Sequence, residues 1–103
     1  MLWRLGSFNM NIFLIYQDKN CNYDTFSSAV VIANTLEEAK LIHPDSNSRW
    51  STEIDHWVRD NSDYHSDKSW ANPASVNAVY LGVYDGIKPR KHGDVITSSF
   101  NAG

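Results

Sequence analysis

The sequence predicts an α+β domain: a small antiparallel sheet in β-β-α-β-β order, one helix packed on a face, and a helical or irregular insertion before the third strand. Three observations predict it. Short branched-and-aromatic runs recur at Asn11–Tyr16, Ser28–Ala33, 76–84 and 94–100, bounded by Asn, Asp, Gly and Pro clusters, which is how strands are written. One capped apolar stretch, from Thr35 to His43, reads as the helix. The 103 residues, 42% hydrophobic and 20% charged, suit a single core and not a disordered chain.

Met10 stands directly before the first strand, so residues 1–9 are read as an N-terminal extension and residues 10–103 as one domain. The run NIFLIY at Asn11–Tyr16 is short and apolar, as a buried strand requires. A connection rich in Asn and Asp follows, and the second strand is expected to pair with the first. Thr35 and Glu38 form a Thr-x-x-Glu capping box, in which each side chain satisfies an exposed amide at a helix start. Leu36, Ala39, Leu41 and Ile42 supply the apolar stripe, and Pro44 ends the helix by excluding helical geometry at His43. Between residues 45 and 75, Ile54, Trp57 and Val58 fall at helical spacing, which predicts a short second helix over 51–58. Gly82 in the third strand marks a bulge or a close approach. The fourth strand is joined to the third across the loop DGIKPRKHG.

The net charge of −3 argues against a bulk duplex binder, since such binding is driven by phosphate neutralisation. The local exception is the 85–93 loop, where Lys88, Arg90 and Lys91 face a single Asp85. Cys21 is the only cysteine, which excludes an intrachain disulfide and suits a reducing cytoplasm. No stretch approaches the length of a membrane helix. His43, His56, His65 and His92, with Asp55, Asp63 and Asp67, lack the paired spacing of a zinc site, so no metal or cofactor is expected. Pairing of Cys21 with any of these histidines needs a base in reach and an orienting group, which the sequence does not display. The glycines match neither phosphate-cradling spacing.

Several segments resemble a family of short phage and prophage proteins: Tyr23-Asp24-Thr25-Phe26, Ser28-Ala29-Val30-Val31, Glu37-Glu38-Ala39-Lys40 with His43-Pro44, Trp70, Leu81-Gly82, and the terminal Ser99-Phe100-Asn101-Ala102-Gly103. The closing SFNAG is the most specific piece. The resemblance implies a phage-encoded accessory protein acting in the host cytoplasm and supplies no catalytic residues. Small phage accessory proteins are often counter-defence factors, an analogy that leads to a non-enzymatic protein sequestering a nucleotide-like signal.

The aromatic surplus gives that expectation its residues. The chain holds four Trp, five Tyr and four Phe, most of which a small core absorbs. One or two left outward would stack on a base or anchor a partner. Trp57, Trp70 and Tyr84 are the candidate stacking residues, and Lys88, Arg90 and Lys91 the candidate phosphate contacts. Capture between subunits of a homo-oligomer is one arrangement, since exposed strand edges invite pairing. The alternatives are an inhibitor that covers a host defence protein with the acidic, Trp-bearing 45–70 segment, a small hydrolase using His56, His65 or His92, and a structural role in the virion.

Overall fold

The computed structural model describes residues 10–21, 23–59, 67–86 and 88–101; the proposed 1–9 extension and His65 lie outside them. Strands β1 (Asn11–Tyr16), β2 (Thr25–Ala33), β5 (Asn77–Val83) and β6 (Val95–Asn101) form one antiparallel sheet in the spatial order β5-β1-β2-β6. Helix α1 (Leu36–Ala39) follows β2. Then comes a two-stranded antiparallel hairpin of β3 (Ser48–Ser51) and β4 (His56–Arg59). The chain therefore reads β-β-α-β-β-β-β, an α+β architecture with a hairpin where the sequence predicted a helix over 51–58.

The reason for that difference lies in two indoles. Trp50 and Trp57 sit opposite each other across the hairpin with ring centroids 5.4 Å apart, an edge-to-face pair, and such a cross-strand pair stabilises a ladder directly. Ile54, needed for a helical stripe, is instead an exposed turn residue. Asp55 closes the turn at φ 56°, a left-handed conformation that Asp tolerates better than most residues, and its N–H donates to the Ser51 carbonyl at 2.8 Å.

Pairing of β1 with β2 runs from Asn11 opposite Ala33 to Tyr16 opposite Ser28. This register puts Phe13, Ile15, Ala29, Val31 and Ala33 on one face, where all are buried. Against them pack Ala39 and Ile42 from the helical segment, Trp57 from the hairpin, and Trp70, Ala71 and Val76 from the stretch before β5. Thr35 caps α1 as its sequence demands, its Oγ1 accepting from the Glu38 amide at 3.1 Å. The helix is one turn long, and the buried stripe is Ala39 and Ile42, while Leu36 and Leu41 of the expected stripe are exposed.

Gln17, just past β1, is 5% exposed and holds the β1–β2 connection together. Its Nε2 donates to the Asn20 and Phe26 carbonyls at 2.8 and 2.9 Å, and its Oε1 accepts from the Lys19 and Asn20 amides at 2.8 Å each. Asn20 then ties that connection to the 3-10 turn at Asp67–Ser69, donating to the Asp67 and Lys68 carbonyls at 3.0 and 2.6 Å.

Strands β5 and β6 are the two edges of the sheet and do not touch. The segment between them therefore crosses the end of the β1–β2 pair. Its first part is anchored by the Tyr84 N–H donating to the Met10 carbonyl at 2.7 Å, and its last by the Gly93 N–H donating to Ile32 at 2.8 Å. Gly93 makes that bond at φ +93°, a geometry in which a side chain would be strained. Among the described residues no helix is long and apolar enough to cross a membrane.

Candidate functional site

The crossing segment carries the cationic loop, and the fold turns it into a concavity of about 460 Å³ lined by Ser46 and by residues 88–95. Tyr84 shapes its base. The Tyr84 hydroxyl donates to the Lys88 carbonyl, and its ring lies so close over Gly86 that a Cβ there would sit 2.5 Å from the hydroxyl oxygen. The Tyr84 ring is half-buried against its own loop, with its hydroxyl committed to that loop. At the other end the Lys91 N–H donates to Asp94 Oδ2 at 3.0 Å while the Asp94 N–H donates back to the Lys91 carbonyl at 3.1 Å. This reciprocal turn ties the one lining carboxylate to the backbone.

Lys88, Arg90 and Lys91 all line the concavity, so these three sequence candidates come together. Arg90 carries the more telling feature. Its Nε is buried and has no hydrogen-bond partner among the described residues. A buried donor left unsatisfied costs about 1–3 kcal/mol, and more on a charged group. Arg90 is also one of the residues lining the concavity, and a guanidinium suits oxyanion recognition through its fork of N–H groups.

Ser46 also lines a second concavity of about 400 Å³, with Asn47, Ser48, Arg49 and Arg59. Under its rim Asp45 organises the loop. The Asp45 Oδ1 accepts from the Asn47 and Ser48 amides at 2.8 and 2.9 Å, and Oδ2 accepts from the Ser48 hydroxyl at 2.7 Å and from Arg59 at 3.4 Å. Burial by itself would raise the Asp45 carboxyl. The hydrogen bonds from His43, Ser48 and the Asn47 amide, together with the nearby His43 charge, outweigh it and hold the group well below the usual carboxylate range. Arg49, Arg59 and Ser46 were not singled out from the sequence. Their convergence depends on the hairpin pairing of Ser48 with Arg59 and Arg49 with Val58, which becomes visible only when that stretch is read as strands.

Trp57 and Trp70, the two indole candidates, are 0% and 1% exposed. They are core, and this corrects their placement as ligand-stacking groups. Trp57 Nε1 donates to the Ala71 carbonyl at 2.8 Å, and both rings pack around His43, with centroids 5.1 and 6.4 Å from the imidazole. The physical cause is the thin core: β1 and β2 offer Ala29 and Ala33 on their inner face, and indoles fill the depth those alanines leave. The outer surface of the 45–70 segment therefore does not present these two rings to a partner.

His43 stands in an arrangement that resembles a nucleophilic triad. Ser69 Oγ lies 3.3 Å from its Nε2 and Asp45 Oδ1 lies 3.2 Å from its Nδ1. The Asp45 backbone N–H also lies 3.0 Å from Nδ1. The imidazole is 1% exposed and enclosed by the Trp57 and Trp70 rings, which leaves no accessible surface for a substrate there. His43 is thus a buried structural node.

His56 pairs with Asp67 at 2.9 Å, about half exposed, and Asp67 Oδ1 also accepts from the Trp57 amide at 2.9 Å. The pair braces the hairpin against the following turn. His92 lines the cationic concavity. Cys21 is exposed with a free thiol. Among the described residues no group of three or more His, Cys, Asp or Glu side chains is placed to hold a metal.

Comparison with protein-family models, with curated proteins and with solved structures found no match to this chain.

Proposed function

We propose that this chain is a non-enzymatic accessory protein of phage type that works by capturing a phosphorylated, nucleotide-like small molecule at the concavity of residues 88–95. The observation that carries the reading is the convergence of Lys88, Arg90 and Lys91 on one concavity in which Asp94 is the one carboxylate among the described residues. A guanidinium beside two ammonium groups favours an oxyanion over a neutral guest. The fixed loop, pinned by Tyr84 over Gly86 and by the Asp94 turn, lowers the ordering cost of binding. Sequestration of a host signal would need this geometry and no reactive group.

The test is direct. Purified protein is incubated with a panel of linear and cyclic nucleotides, washed and heat-denatured, and the released small molecule is identified. Recovery of an unaltered nucleotide by the wild type, lost when Lys88, Arg90 and Lys91 are all replaced by Ala, is the expected result. Release of a cleaved product would overturn the non-enzymatic reading. Retention that is unaffected by the triple replacement would remove this concavity from the account.

A further inference from the structure

Two concavities meet at one residue. Ser46 lines both the basic cleft of residues 88–95 and the neighbouring recess with Asn47, Ser48, Arg49 and Arg59. Among the described residues the two linings contain five Lys and Arg side chains, Lys88, Arg90, Lys91, Arg49 and Arg59, and one carboxylate, Asp94. On a chain of net charge −3, that separation concentrates positive potential along one continuous track.

We infer that the track is a two-subsite groove for an elongated polyanion, one anionic group seated at Arg90 with Lys88 and Lys91, the other at Arg49 and Arg59. The inference rests on the phosphate-binding reading above and extends it from one anionic group to two. Ser46 is the bridge. It holds φ 62°, a left-handed conformation uncommon for a residue with a side chain, and its N–H is fixed to the His43 carbonyl at 3.0 Å. The turn is therefore clamped from the core side, and the position of Ser46 between the clefts is set by the buried His43. Asp45 orients Arg59 from beneath at 3.4 Å, and a guanidinium, with its five N–H groups, serves a carboxylate and an oxyanion at once.

Among the described residues the two linings contain no Trp, Tyr or Phe, and His92 is their one aromatic ring. Recognition along the groove is consequently led by charge and hydrogen bonding to a chain of phosphates. The chemical class that fits is a small molecule carrying two or more linked phosphates. Occupying both subsites with one molecule makes the second contact intramolecular, which multiplies affinity without any new kind of contact.

The experiment compares inorganic phosphate, inorganic tripolyphosphate and a nucleoside triphosphate by calorimetry at fixed ionic strength, with Arg49→Gln and Arg90→Gln beside the wild type. Unchanged thermal melting confirms that each variant is folded. The wild type should bind tripolyphosphate on the order of tenfold or more tighter than phosphate. Arg49→Gln should lose most of that gain while binding phosphate as the wild type does, and its salt dependence should fall by about one unit of slope. Arg90→Gln should weaken every probe. Tighter binding of the triphosphate nucleotide than of tripolyphosphate would mean a nucleoside contact, at His92 or outside the groove, and would overturn recognition led by the phosphates. Equal affinity for phosphate and tripolyphosphate, or an Arg49→Gln variant indistinguishable from wild type, would sink the second subsite and leave the first standing. Failure of all probes to bind wild type would sink the phosphate reading itself.

Discussion

Replacing Asp45 by Asn should lower stability by about 1–3 kcal/mol at neutral pH, and the loss should vanish in acid. The carboxylate accepts from two backbone amides through Oδ1 and from the Ser48 hydroxyl and Arg59 through Oδ2, with His43 Nδ1 at 3.2 Å. Asn retains one carbonyl oxygen for the two amides, but its NH₂ cannot accept from Ser48 or Arg59. Hydrogen bonds to a charged group are each worth roughly 1.5–3 kcal/mol, and the Arg59 bond counts for less because that guanidinium is 45% exposed.

The pH dependence follows from the direction of the shift. The folded-state value of Asp45 is depressed, so its contribution is full above the ordinary carboxylate range and fades as pH falls through and below it. Urea unfolding of both proteins should show a gap that is constant from about pH 5 to pH 7 and narrows below about pH 4. Equal stability at pH 7, or a gap as large at pH 3 as at pH 7, would refute the reasoning.

Other consequences are as specific. Gln17→Met keeps the volume and removes four hydrogen bonds, so unfolding should cost about 2–4 kcal/mol less, read as a lower urea midpoint. Gly86→Ala should push the Tyr84 ring off the loop and disturb the Tyr84 and Lys88 backbone signals in NMR spectra, with strand signals of β1 and β2 unmoved. Trp57→Phe strands the Ala71 carbonyl and leaves a gap beside His43; a destabilisation of about 2–4 kcal/mol is expected in denaturant melts. Arg90→Ala, by contrast, removes a desolvated donor with no acceptor among the described residues and should leave thermal stability unchanged or slightly raised while weakening anion binding.

The sheet strands and the helix cap were legible because each is a local pattern: NIFLIY over 11–16 and Thr35 with Glu38 carry their own structural instructions. The 45–75 region was not. Ile54, Trp57 and Val58 satisfy helical spacing, yet the edge-to-face contact of Trp50 with Trp57 and the left-handed Asp55 favour a hairpin, and both are properties of tertiary placement. The same limit governs the site. Lys88, Arg90 and Lys91 lie close in sequence and were visible as a cluster, whereas Ser46 joins their concavity only because β5 and β6 lie on opposite edges and their connection must cross the sheet end. Trp57 and Trp70 were misassigned outward because aromatic surplus alone does not reveal how shallow an alanine-lined core is.

The most direct measurement is an amide-resolved NMR titration of the wild type with inorganic phosphate. The account predicts saturable shifts confined to residues 88–95 and Ser46, weakening as salt is added. Shifts absent there, or concentrated instead at the recess of Asn20, Tyr23, Asp67 and Lys68, would contradict it.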